Sequence, residues 1–238
     1  MTVFSITLGM FLRSVQRQKH AIALIRRNGG SVEYDYQYPN GTYGRDDYDY
    51  LATSSVPRWL LDLFDDDFFH DVVVVKIQRE YDYGRQNPDA DDVVLSRISG
   101  LTKLRRLELT HCGITDHGMR HLENFPLLES LEVSYSSITD DSIPYIAGLK
   151  SLRQLDLGHT RVGGRGFHRL ADLEHLEELG LTLTPIRDEA LVKIMDMHQL
   201  RYVSIWRCKY LTLETINAFE QAVPQCSIFL KAGIYAEE

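Results

Sequence analysis

The chain has 238 residues, 44% of them hydrophobic and 25% charged, with a formal net charge of -8. That composition suits a globular protein long enough to bury a sizeable core, and the acidic balance argues against nucleic acid while weakly favouring a basic partner surface. The three cysteines Cys112, Cys208 and Cys226 form neither a disulfide framework nor a CxxC zinc motif, so a reducing, cytoplasmic setting without cofactor or metal is expected.

The sequence opens on an apolar, uncharged stretch, Thr2 to Leu12 (TVFSITLGMFL), followed by Arg13, Arg17 and Lys19. It falls well short of the ~20 residues with which a helix crosses a bilayer, and it lacks the flanks of a secretory signal. Two readings stand: the stub of a membrane anchor, tethering the protein at its N-terminus, or the apolar start of a capping helix.

From Ser14 to Arg27, Val15, Ile22 and Ile25 recur at helical spacing, and Asn28-Gly29-Gly30 ends the helix. SVEYDYQY then alternates Val32, Tyr34, Tyr36 and Tyr38 with polar residues, which predicts a strand, and Pro39-Asn40-Gly41 predicts a turn. Asn40-Gly41-Thr42 also fits a glycosylation sequon, for which turn chemistry is the sufficient explanation. Pro57 opens a short helix, PRWLLDLF, that leads into the next strand. Residues 1–70 are read as an apolar segment and an α+β capping module, and 71–238 as a repeat domain with its own C-terminal cap.

The repeat dominates the rest. Leucine falls at 104, 128, 152, 176 and 200; three residues on come Leu107, Leu131, Leu155, Leu179 and Val203; two further come Leu109, Val133, Leu157, Leu181 and Ile205. The same spacing of 24 links Ile114, Ile138, Val162 and Ile186, then Met119, Ile143, Phe167 and Leu191, then Leu122, Ile146, Leu170 and Ile194. The xLxL part alternates as a strand with one face inward, and the later positions, three apart, make one face of a helix. Asp116, Asp140 and Asp188 stand where they can accept the free N–H groups of the helix that follows. One such unit cannot bury its own apolar face, so units must stack. Six parallel strands are predicted between 72 and 205, centred near Ile77, Leu109, Val133, Leu157, Leu181 and Ile205. The first, DVVVVKI, is offset by an eight-residue insertion within 79–92, and QCSIFL closes the array as a terminal strand.

The unit LxxLxLxxTxITDxGLxxLxxL resembles leucine-rich repeats of the cysteine-containing kind, found in F-box-type receptors and many bacterial proteins. The resemblance covers about residues 101–223. It implies an α/β, right-handed solenoid with parallel strands on the concave face and helices on the convex face. The family's Asn/Cys/Thr position falls here on Cys112, Ser136, Thr160, Thr184 and Cys208. VPRWLLDLFDDDFF is in addition similar to the first helix of an F-box, whose remaining helices have no counterpart here.

Other constellations have plain explanations. Cys112 and Cys208 are four units apart, roughly 19 Å at ~4.8 Å per strand, which excludes a disulfide. His117 and His121 have metal-ligand spacing but no third ligand, and read as solvated. Asp65 to Asp67 and Asp89 to Asp92 lack the pattern of a calcium loop. Gly163-Gly164-Arg165-Gly166 stands where other units have Thr-Asp, so it reads as a weakened cap and not a phosphate loop.

With the leucines inward, the alternate strand residues face the concave side. Glu108, Glu132 and Asp156 form an acidic row there, Tyr202 and Trp206 supply aromatics, and Tyr135 and His159 come just beyond the strands. The expected function is non-enzymatic: binding another protein through this face, with no small-molecule substrate. One alternative is the substrate-recognition subunit of a ubiquitin-ligase-like complex. Another is a hydrolytic enzyme using rim His and Asp, which is disfavoured because His111 and His159 should lie ~10 Å apart.

Overall fold

A computed structural model describes residues 2–43, 47–49, 51–78 and 92–230. Asp89 to Asp91 and most of the expected insertion lie outside the described residues.

Helix α1 runs Thr2–Arg27, so the apolar stretch and the capping helix are one element. It ends as its glycines require: Gly29 takes φ 73°, and Gly30 N–H donates to Ile25 O at 2.9 Å. A Cβ on Gly30 would sit 2.6 Å from Lys76 O, so the close approach of helix end to repeat strand needs glycine there. Ala21, Ile22 and Ile25 on the same helix are buried in the core that continues through the repeats. β1 (Ser31–Tyr34) pairs antiparallel with β2 (Val72–Gln78), Val32 opposite Val75. It is shorter than the alternating tyrosines suggest, because the chain turns at Asp35–Gln37, where Gln37 Oε1 accepts from Tyr34 N–H. α2 (Arg58–Phe64) is followed by an unforeseen turn of helix, α3 (Asp66–Phe69), with Asp65 at φ 64° between them. Gln18 Nε2 ties α1 to the end of α3 by donating to His70 O at 2.7 Å.

From β2 onward the sheet is parallel: β3 (Arg106–Thr110), β4 (Ser130–Glu132), β5 (Gln154–Asp156), β6 (Glu178–Gly180), β7 (Tyr202–Ser204) and β8 (Ser227–Phe229) follow in chain order. Leu107, Leu131, Leu155, Leu179 and Val203 are register partners, so the 24-residue spacing of the sequence is the register of the sheet. The six expected strands are present, and QCSIFL adds the closing one. β4 to β7 are centred on Leu131, Leu155, Leu179 and Val203, two residues earlier than predicted. The ladder itself goes on, with Val133 N–H donating to Asp156 O and Tyr135 N–H to Gly158 O. The strand nevertheless stops, because a residue just beyond it turns left-handed in every regular repeat: His111 directly after β3 and, three residues after β4 to β7, Tyr135, His159 and Leu183, all at φ 56°, and Arg207 at 59°.

The opposite side carries short turns of helix: α4 (Asp92–Ile98), α5 (Asp116–Met119), α6 (Ile143–Ile146), α7 (Asp188–Val192) and 3-10 turns at Arg120–Asn124 and Phe167–Asp172. α8 (Leu213–Ala222) covers the far end. Their apolar faces, from Met119 and Leu122 through Phe167 and Leu170 to Leu191 and Ile194, are fully buried against the strand leucines.

The Asp column does not act as the sequence suggests. Thr115 and Thr139 cap their own turns by accepting from His117 N–H and Asp141 N–H. The aspartates instead reach into the next repeat. Asp92 accepts from Thr115 N–H and Oγ1, Asp116 from Thr139 N–H, Thr139 Oγ1 and Ser142 Oγ, and Asp188 from Thr212 N–H and Oγ1. Each repeat thus caps its neighbour. The glycine-rich loop keeps this link: Asp140 Oδ1 accepts from Gly163, Gly164 and Arg165 N–H at 3.1, 2.8 and 3.1 Å. Gly164 is at φ 87°, and a Cβ there would overlap that of Ala190, so glycine replaces Thr-Asp on steric grounds.

The small-residue column closes the inner turns. Ser136, Thr160 and Thr184 hydroxyls donate to Val133, Leu157 and Leu181 O at 2.6–2.7 Å, and Cys208 Sγ approaches Leu181 O at 3.0 Å. All three cysteines are buried.

Candidate functional site

The open face of β3 to β7 forms a groove of about 820 Å³. Alternation along each strand decides what lines it: Leu131, Leu155 and Leu179 turn inward, and the residues on either side turn out. Of the expected acidic row, Glu108 is withdrawn from the groove. It is 3% exposed and ion-paired at 2.5 Å with Arg106, itself 2% exposed. Gln78 Nε2 donates to Glu108 at 2.9 Å and Arg106 Nη1 to Tyr43 O at 3.5 Å, so this pair ties β2, β3 and the capping module together. A buried guanidinium is tolerated only with such partners.

Glu132 and Asp156, register partners on β4 and β5, do line the groove. Glu132 accepts from Thr110 Oγ1 at 2.9 Å, and Asp156 accepts from Gly158 N–H at 2.8 Å. Asp156 leans over Gly180 on β6, where a Cβ would lie 2.5 Å from its Oδ1; glycine at 180 makes room for the carboxylate. Glu178 on β6 and Asp47 of the capping module add two more carboxylates to the lining. Neither belonged to the expected row; for Asp47 no periodicity points to it, since it comes from outside the repeats.

Tyr202 lines the far end of the groove and is exposed. Trp206, expected beside it, is only half-buried and lies outside the groove lining, with the Arg207 guanidinium 5.0 Å from its ring centroid.

One rim is an aromatic stack. The rings of His111 and Tyr135 are 3.9 Å apart at 26°, and those of Tyr135 and His159 are 3.8 Å apart at 17°. The left-handed turn at each residue aims these side chains the same way, and the sheet sets their spacing. The sequence carries the signal, three aromatic rings at a spacing of 24 just past a strand, although not the stacking. Burial lowers the pKa of His159, with Asp156 opposing and His111 reinforcing the shift. The two imidazoles meet Tyr135 by their faces, which separates them instead of joining them in a hydrogen-bonded dyad.

On the convex side, burial first and then Arg120 and His117 lower the pKa of His121. Among the described residues, no group of three or more His, Cys, Asp or Glu side chains is placed to hold a metal ion. No helix among them is long and apolar enough to cross a membrane.

A family model described as leucine rich repeat matches residues 102–162. Two crystal structures from Listeria monocytogenes are similar in fold. The first, an internalin (inlF), has 22% identity and a TM-score of 0.48, covering 68% of this chain and 46% of its own. The second, an internalin C2 (inlC2), has 24% identity and a TM-score of 0.47, covering 57% of this chain and 55% of its own. The chain spans about half the length of these internalins. No curated protein matches it by sequence. The unbroken columns at a spacing of 24, the parallel ladder in the same register and the match over 102–162 give this chain the fold of a leucine-rich-repeat solenoid.

Proposed function

We propose that the chain is a protein-interaction module that seats a partner with a basic surface in the groove of its sheet. The observation that carries this is the lining. Asp47, Glu132, Asp156 and Glu178 border the groove, and the one guanidinium among the lining residues, Arg106, is ion-paired with Glu108. Tyr135 on the rim and Tyr202 at the far end, both exposed, offer the amphipathic rings that anchor interfaces. The internalin likeness supports the fold on which such a surface stands and leaves the partner to be found.

The test begins with an affinity capture using the full chain as bait. The captured protein is then measured against Glu132→Lys with Asp156→Lys, and against His121→Ala on the convex side. Charge reversal in the groove is expected to weaken binding by at least ~tenfold, as like charges meet across the interface, and His121→Ala to leave it unchanged. Normal binding by the double variant, with loss in His121→Ala, would move the site to the convex turns and end this reading.

A further inference from the structure

At Met10 to Leu12, α1 exposes apolar side chains over more of its circumference than a groove on a protein would cover. From Thr2 to Leu12 the sequence holds no charged residue, and the helix continues through this stretch to Arg27 without a break. Met10, Phe11 and Leu12 are 66%, 46% and 49% exposed. Successive helical residues are turned by about 100°, so these three apolar side chains cover roughly 200° of the circumference. A helix docked on a protein buries a stripe only somewhat wider than ~100°, whereas a helix apolar all round fits an environment that surrounds it.

The order of chemistry along the axis points to lipid as that environment. Beyond the apolar stretch come Arg13 and Arg17, both exposed, and only then the packed base, Ala21, Ile22 and Ile25. Eleven residues at ~1.5 Å each reach ~16 Å, about half the ~30 Å of a bilayer's hydrocarbon. Cationic side chains at that point snorkel to the phosphate level. Where the stretch meets the body, Phe11 packs edge-on to Phe68 at 5.3 Å, and Phe68 stacks on the exposed Phe64 at 4.9 Å, so the apolar surface broadens at its base. Lys19, two residues beyond Arg17, is already paired with Asp65 at 3.3 Å, so the driving force lies in burial of apolar surface more than in attraction to anionic lipid.

We propose that this end of α1 sits in the hydrocarbon of a lipid bilayer, with Arg13 and Arg17 among the headgroup phosphates and the repeats held outside. The inference is independent of what occupies the groove.

The test is flotation of the full chain with phosphatidylcholine vesicles, alongside Met10→Glu with Leu12→Glu, and Leu213→Glu as an exposed control on α8. The unaltered chain and the control are expected to float. The double variant is expected to lose about tenfold or more of its bound fraction, because carboxylates are costly in hydrocarbon. All three should share one melting temperature, since none of the changed side chains is buried. A second readout places tryptophan at Phe11 in a chain with Trp59→Phe and Trp206→Phe; lipids brominated on their acyl chains should quench it. The proposal is overturned if the chain stays with the soluble fraction, if the double variant floats equally well, or if the tryptophan at 11 is not quenched. Dimers that the double variant abolishes, without flotation of the parent chain, would overturn it too and name a second copy as the occupant.

Discussion

At the scale of the residue, the left-handed column is the least expected feature of the repeats. His111, Tyr135, His159, Leu183 and Arg207 adopt a backbone conformation that disfavours side chains with a Cβ by ~1–2 kcal/mol. What holds the column is shared: Tyr135 and His159 N–H bond to Gly158 and Thr182 O of the next repeat, and stacked rings contribute ~1 kcal/mol per pair. The stack also links stability to pH. Burial lowers the folded pKa of His159, so the folded chain resists a proton that the unfolded chain, with an ordinary His pKa near ~6.5, accepts. The contribution is therefore whole above that value and declines as pH falls from it towards the lower folded pKa. Tyr135 stacks on the ring, His111 acts from the far side of Tyr135 and opposes the proton, and Asp156 favours it. His159→Phe keeps a ring in the stack and removes the titration. Melting temperatures followed between about pH 7.5 and pH 5 should fall less in this variant than in the parent chain, and parallel curves would show that His159 is not responsible.

At the scale of the element, sequence and structure agree where periodicity decides and part where it does not. Leu131, Leu155 and Leu179 are at most 2% exposed, as their column implied. The period fixes which face of a strand is inward; it does not fix where the strand stops, because that depends on the left-handed residue that follows it. Nor can a column of aspartates reveal whether each serves its own repeat or the next, since both arrangements repeat every 24 residues. The convex turns are short for a related reason. Gly118 and Gly163 to Gly166 discourage regular helix, and every repeat must return to the next register leucine within its 24 residues. The column that matters most for stability is the inward strand leucine. Leu155, flanked by repeats on both sides, has no free end into which the core can collapse. Leu155→Ala should cost ~2–5 kcal/mol in chemical denaturation, and a loss below ~0.5 kcal/mol would mean that this column is not the core.

At the scale of the molecule, the parts that were hardest to read from sequence are those where different columns, or cap and repeats, meet. The repeats predicted a row of three carboxylates, and folding removes one: Glu108 is spent on Arg106 beneath the capping module, while Asp47 arrives from that module and Glu178 from a different column. The groove that results stays acidic in a chain whose net charge is already -8. Acidic side chains and aromatic ones should then divide the work of binding. Exposed charges act over the Debye length, ~8–10 Å at physiological salt, so they set how fast a basic partner arrives; ring burial is short-ranged and sets how long it stays. Tyr202 should be the stronger anchor of the expected aromatic pair, because Trp206 is half-buried with Arg207 over its ring. In association kinetics with the captured partner, Glu132→Lys should slow binding several-fold at low salt and have little effect at high salt, with dissociation nearly unaltered. Tyr202→Ala should do the reverse, speeding dissociation by a factor that approaches ~30, equivalent to ~2 kcal/mol, at either ionic strength. An association rate indifferent to salt in the parent chain would remove the electrostatic half of this account, and with it the reason for placing a basic surface in the groove.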